Sequence, residues 1–264
     1  MSSCFESRSY RGIPIGLQLY TVRQEFADDP IGTIKAVAEM GYEGVEGGPP
    51  SGMSNSDYIS LLSDCGLKLI GGGTSSGALR ENLQQVVERC GELGINTLMM
   101  GIGGELRQND GDWKKVVAEL GEGCAKAAEA GLRILYHNHA FEFETQVDGM
   151  CGLDYLFATI PATAIGAELD TYWVQTGGED PVAYIRKYAA RLPQLHIKDR
   201  APSPADETCP FAEVGYGILD WDGIFTAAEE AEIEWYIVEQ DRWTRPPLES
   251  ARMSVEYLKS RGMV

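Results

Sequence analysis

Short apolar runs alternate with longer segments of helical period from one end of the chain to the other, and that alternation restricts the fold more than any single residue does. The candidate strands are residues 15–20, 44–46, 68–72, 97–101, 133–138, 164–170, 194–198 and 235–240. Helix-like stretches lie at 31–40, 56–65, 79–93, 113–130, 153–160, 181–190, 221–231 and 248–261, several with apolar residues three and four apart. Gly41, Gly66, Gly94 and Gly131 follow four of these stretches, where a helix ending in a left-handed residue favours glycine. Eight strand–helix units in 264 residues predict an α/β fold, a (β/α)8 TIM barrel, with residues 1–264 as a single domain and no Pro/Gly/Ser linker to divide it. A doubly wound open sheet should carry a glycine-rich phosphate turn after its first strand, and Gln18-Leu19-Tyr20-Thr21-Val22-Arg23 is not one.

Composition narrows the partners. Lys and Arg number 22 against 40 Asp and Glu, a net charge of -18 without a basic patch, so neither nucleic acid nor an anionic membrane is an expected partner. No window approaches the roughly 18 apolar residues of a membrane span, and the polar residues 1–14 lack a signal-peptide core, so a cytoplasmic location is expected. Cys4, Cys65, Cys90, Cys124, Cys151 and Cys209 are dispersed without a CxxC pair, and most of them read as small buried hydrophobes, not zinc ligands or a disulfide framework.

In a barrel the carboxyl ends of all strands converge on one face, so polar residues at those ends meet whatever their separation in sequence. The fifth candidate strand runs into His137, Asn138, His139, Phe141 and Glu142, the sixth ends Glu168-Leu169-Asp170, the seventh carries His196, Lys198 and Asp199, and the eighth ends Val238-Glu239. Carboxylates and imidazole without thiolate suit Mn²⁺, Mg²⁺, Co²⁺ or Zn²⁺, and three carboxylates favour the harder ions, manganese first. Each residue also has a plainer reading: Asp170 as a helix cap, His196 as a core imidazole, Glu239 as a loop carboxylate. Glu144 lies two residues beyond Glu142, and strand geometry alone does not separate the two.

These residues resemble the sugar phosphate isomerase/epimerase family of xylose isomerase-like TIM barrels. The matching phrases are Tyr136-His137-Asn138-His139-Ala140-Phe141-Glu142-Phe143, Leu169-Asp170-Thr171-Tyr172-Trp173, Leu195-His196-Ile197-Lys198-Asp199, Val214-Gly215-Tyr216-Gly217-Ile218-Leu219-Asp220-Trp221 and Val238-Glu239-Gln240-Asp241. The resemblance implies a divalent metal held by Glu142, Asp170, His196 and Glu239, with Glu142 and Glu239 as the pair that moves a proton between opposite faces of a substrate carbon. It implies a sugar or keto-sugar isomerase or epimerase working through a metal-stabilised enediolate, and on the same scaffold a lyase or dehydratase as the alternative. Trp173 stands where epimerases of free ketoses carry a histidine, and the Tyr-His-Asn-His phrase is similar to relatives that handle keto-glycosides or inositol derivatives. An apurinic endonuclease on this scaffold conflicts with the charge of -18. Dimers or tetramers are common in the family, so a homo-oligomer is compatible.

The remaining candidates are substrate contacts. His137 and His139 share strand parity, so one can meet substrate while the other supports the rim. Lys198 shares the face of His196 and can bind a substrate oxygen or pair with a carboxylate. Gln18 and Glu46, at the ends of the first two strands, can bind sugar hydroxyls or build the barrel mouth. Arg200 is a possible clamp, and Tyr20, Phe141, Trp173 and Trp243 offer aromatic faces. The glycine run Gly71-Gly72-Gly73 lacks a basic neighbour in sequence, which points to an unphosphorylated substrate.

Overall fold

A computed structural model of the chain describes residues 12–102, 112–202 and 209–263. Cys4, one of the six cysteines, lies outside the described residues. Eight parallel strands close a barrel: β1 (Ile15–Gln18), β2 (Gly44–Glu46), β3 (Lys68–Gly73), β4 (Thr97–Met100), β5 (Arg133–His137), β6 (Gly166–Asp170), β7 (Gln194–Ile197) and β8 (Trp235–Val238). Closure is made by β1 against β8, with Ile15 opposite Tyr236 and Leu17 opposite Val238. The barrel expected from the alternation is therefore the fold.

Helices cover the outside because their apolar stripes need the strands. In Pro30–Met40 the residues Thr33, Ile34, Val37 and Met40 recur at the helical period and are buried, each aliphatic side chain contributing about 1.5–3 kcal/mol. That helix is started by the Asp29 side chain, which accepts from the Gly32 amide, and ended by Gly41 at φ 92. The stretch expected as one helix over 79–93 is two, Ser76–Glu81 and Leu83–Leu93, because Asn82 leaves the helical region at φ -135 and ψ 29.

Five of the eight strands, β1, β4, β5, β7 and β8, stop one or two residues before the apolar runs do. After Gln18 the chain turns into a 3-10 helix, Leu19–Val22, begun by the Gln18 side chain accepting from the Tyr20 amide. Short pieces not expected from periodicity decorate the carboxyl rim: helices Phe141–Glu144 and Thr171–Thr176, and a ribbon pairing Asp199–Arg200 with Phe211–Ala212. Among the described residues no helix is long and apolar enough to cross a membrane.

Candidate metal centre and active-site cavity

The interior of a TIM barrel is ordinarily filled by branched aliphatic side chains. Here three successive inward positions of one strand and its extension are polar, Gln194, His196 and Lys198, and all three are fully buried. Residues two apart on a strand share a face, so this ladder follows from the sequence spacing. Asp170 and Glu168 meet it from β6, Glu46 from β2, Gln18 from β1, and Glu239 from just beyond β8.

At the carboxyl end, His137, Asp170, His196 and Glu239 are buried and offer donor atoms that all lie within 4.8 Å of one another. His137 Nε2 is 3.2 Å from Asp170 Oδ2, and His196 Nδ1 is 3.2 Å from Glu239 Oε2. Asp170 does two jobs at once. Its Oδ1 accepts from the Trp173 amide at 3.0 Å and caps the helix Thr171–Thr176, while Oδ2 faces the cluster. Asn138 ties β5 to β6 by accepting from the Asp170 amide at 3.0 Å.

With their imidazoles neutral, as ion binding requires, the four donors would carry a charge of about -2, which matches a divalent ion, and oxygen-plus-imidazole donors without thiolate are those that Mn²⁺, Mg²⁺, Co²⁺ and Zn²⁺ accept. The buried cluster is thus able to hold a metal. Lys198 shares its carboxylates: Nζ lies 3.2 Å from Asp170 Oδ2, 2.9 Å from Glu239 Oε2 and 2.9 Å from Asp241 Oδ2. Asp241 gives the ammonium a partner of its own when an ion draws on the other two.

The electrostatics divide the acids into two kinds. Burial raises the pKa of Glu239, but Lys198 and His196 outweigh it and hold this carboxyl well below the usual range. Asp170 is likewise held low against burial, by Lys198 and His137. For His196, burial opposes charge, yet Glu168 and Glu239 push the imidazole well above its ordinary value. Burial would also discharge Lys198, and Asp170, Glu239 and Asp241 keep it an ammonium. For Glu168, burial and the neighbouring Glu46 push the carboxyl well above the carboxylate range, against the pull of His196 and the Gln194 amide.

Above the cluster opens a cavity of about 600 Å³ lined by Tyr20, His137, His139, Phe141, Trp173, Phe211 and the carboxylates Glu144, Glu239 and Asp241, with Arg242 the cation among its lining residues. His139 packs 5.5 Å from the Trp173 ring and 6.2 Å from Phe141. Arg23 is held between Tyr20 and Trp243, at 4.1 and 4.5 Å from their ring centres, and steadies the first loop of the rim.

The residues singled out from the sequence fall into distinct places. His137, His139, Trp173 and Glu239 face the cavity. Lys198, Gln18 and Glu46 lie beneath it, each with buried partners. Glu142 is fully buried outside the four-donor cluster, where it accepts from the Tyr136 hydroxyl at 2.8 Å and the His139 amide at 2.9 Å. Glu144, its neighbour on the same short helix, lines the cavity instead. Arg200 sits on the ribbon opposite Phe211 and is not among the cavity-lining residues. Glu168, Gln194, Phe211 and Arg242 were not singled out. The first two had a signal, their spacing of two from Asp170 and His196; the others come from segments whose place depends on tertiary folding.

A closed parallel barrel with a buried His/Asp/Glu cluster at its carboxyl end places the chain in the class of TIM barrels able to hold a metal there. The model of the family described as "Xylose isomerase-like TIM barrel" matches residues 34–261, and the chain belongs to that family. It is 28% identical over 165 residues to the inosose dehydratase of Lacticaseibacillus casei, an overlap of 56% of this chain and 54% of that protein. The chain spans about half the length of the curated relatives it matches. A sugar phosphate isomerase/epimerase from Parabacteroides distasonis has the same fold, with a TM-score of 0.76 and 23% identity over 99% of this chain and 96% of that one. The 3-keto-D-glucoside 4-epimerase from E. coli also shares the fold, with a TM-score of 0.68 and 14% identity over 94% of this chain and 100% of that one.

Proposed function

We propose that the protein is a divalent-metal-dependent isomerase or epimerase of a neutral cyclic keto-sugar, working by removal of a proton beside the carbonyl. The observation that carries this is the convergence of two imidazoles and two carboxylates on the floor of a cavity walled by aromatic rings. A divalent ion held by His137, Asp170, His196 and Glu239 would supply positive charge to a substrate carbonyl oxygen and so acidify the adjacent C–H. Glu239 both belongs to the cluster and lines the cavity, so one of its oxygens can take that proton. Glu142, enclosed by Tyr136 and the His139 amide, holds the His139 segment in place. His139 and Glu144 line the cavity and are the groups placed to return the proton, at the same carbon for epimerisation or at its neighbour for isomerisation.

Trp173, Phe141 and Phe211 offer apolar faces to a sugar ring. The lining carboxylates outnumber Arg242, which disfavours a phosphate ester and favours an uncharged substrate. A second reading, loss of a β-oxygen after the same deprotonation, is favoured by the likeness to the inosose dehydratase.

The test is to incubate the Mn²⁺-loaded protein with cyclic keto-sugars and 3-keto-glycosides in D₂O and to follow deuterium at carbon by NMR. Deuterium in an epimer or isomer supports the main reading and loss of a β-substituent the second. Failure of every keto-sugar to exchange rejects both.

A further inference from the structure

His196 is the one residue common to two buried clusters, the four-donor group at the cavity floor and a second group of Glu46, Glu168 and His196 beneath it. Its ring nitrogens divide between them. Nδ1 faces Glu239 at 3.2 Å, and Nε2 faces Glu46 Oε2 at 2.9 Å and Glu168 Oε1 at 3.4 Å. An imidazole can offer a lone pair to an ion at only one nitrogen, and the other must then carry a proton that needs an acceptor.

Glu46 is built as that acceptor. Its Oε2 accepts from Gln18 Nε2 at 2.7 Å and its Oε1 from Gln194 Nε2 at 3.1 Å, so two amide groups from β1 and β7 hold the carboxylate against the imidazole. Gln194 donates to Glu168 as well and ties the two acids together. Every one of these side chains is at most 5% exposed, and none lines the active-site cavity. Gly71, whose added Cβ would come 3.1 Å from Glu46 Oε1, leaves room for the carboxylate on the β3 side. Four strands therefore converge on one proton of one histidine.

We propose that Glu46, clamped by Gln18 and Gln194, is a positioning residue that accepts a hydrogen bond from the Nε2–H of His196 and so presents Nδ1 to the divalent ion. This rests on the ion-binding reading above, but not on the identity of the substrate. A neutral amide at position 46 would bring its own N–H groups against those of Gln18, Gln194 and His196, three donors that now share one anion.

The test uses the full chain with ¹⁵N-labelled histidine, loaded with diamagnetic Zn²⁺, and reads the ring nitrogens of His196 by NMR, with Mn²⁺ affinity measured by calorimetry. The expected result is a proton retained on Nε2, a metal-shifted Nδ1, and Mn²⁺ affinity about 10–100-fold weaker in Glu46→Gln, the usual size of such outer-ligand effects. Gln18→Leu, which removes one clamp but keeps the acceptor, should give a smaller loss in the same direction. A proton on Nδ1 in the wild-type protein would overturn the inference without any variant, and so would unchanged affinity and unchanged ring signals in Glu46→Gln. If the wild-type protein takes up neither Zn²⁺ nor Mn²⁺, the ion-binding reading fails; the ring nitrogens of the metal-free protein at alkaline pH then decide the proton's place.

Discussion

The two sides of His196 are chemically alike in sequence and unlike in the fold. Toward the cavity, Glu239 and Asp170 face the Lys198 ammonium and are held ionised below the usual carboxylate range. Toward the closed end, Glu46 accepts from Gln18 and Gln194, Gln194 also donates to Glu168, and burial pushes Glu168 well above the usual carboxylate range. The difference lies in what each acid is paired with. On the open side a carboxylate faces a lysine ammonium and the cavity, whereas on the closed side the acids are held by amides and one imidazole and meet no cavity.

The most severe way to break the contrast is to neutralise its open side. Glu239→Gln removes a cluster donor and the proposed proton acceptor together, and should lower the rate of deuterium incorporation by about 10²–10⁴-fold. NMR of the exchange reaction in D₂O measures this, and exchange at the wild-type rate would place the base elsewhere.

Removing the cation probes the same side differently. Lys198→Met leaves Asp170 and Glu239 buried without the ammonium that holds them, and should cost about 3–5 kcal/mol in the metal-free protein. Added Mn²⁺ should then raise the melting temperature of the variant more than that of the wild type, because the ion replaces the missing charge. An equal rise in both would mean that Lys198 and the ion do not share these carboxylates.

Much of this division was legible in the chain. The eight units and the rim residues follow from where apolar runs stop; His137, Asp170 and Glu239 stand at or next to such a stop, and His196 lies within the last pleat before one. The inward ladder was legible too, since Gln194, His196 and Lys198 are spaced by two. What the sequence hides is direction after the strand ends. Glu142 and Glu144 look equivalent as strand residues, but the short helix Phe141–Glu144 sends one to Tyr136 and the other to the cavity. Phe211 and Asp241 reach the site through a ribbon and a loop whose positions no local period encodes. Asp170 met both of its readings, as a helix cap through one oxygen and as a cluster donor through the other.

A subtler contrast appears with pH. His196, raised by Glu168 and Glu239 against burial, must give up a proton before Nδ1 can meet an ion. Protons therefore compete with the metal up to and beyond the ordinary imidazole value, and Mn²⁺ affinity should rise with pH by up to about tenfold per unit across the neutral range, with release of about one proton. Calorimetry in buffers of different ionisation enthalpy counts that proton. Affinity flat between about pH 6 and pH 8 would mean that His196 is already neutral in the metal-free protein.

The smallest expected effect lies on the closed side and has the opposite dependence to that of the open carboxylates. An acid whose folded pKa exceeds its unfolded value keeps its proton in the folded state while the unfolded chain releases one, so stability falls as pH climbs from the unfolded value toward the folded one. Glu168 is in that position. Asp170 and Glu239, held low, do the reverse, and their contribution is lost only as pH falls through their depressed values. Glu168→Gln resembles the protonated acid and removes the penalty. In the metal-free protein it should melt with the wild type near about pH 4 and above it near about pH 8, by a margin that grows as pH rises between them. A variant that is less stable at both pH values would show that Glu168 is ionised in the fold, and the two sides of His196 would then differ in geometry alone.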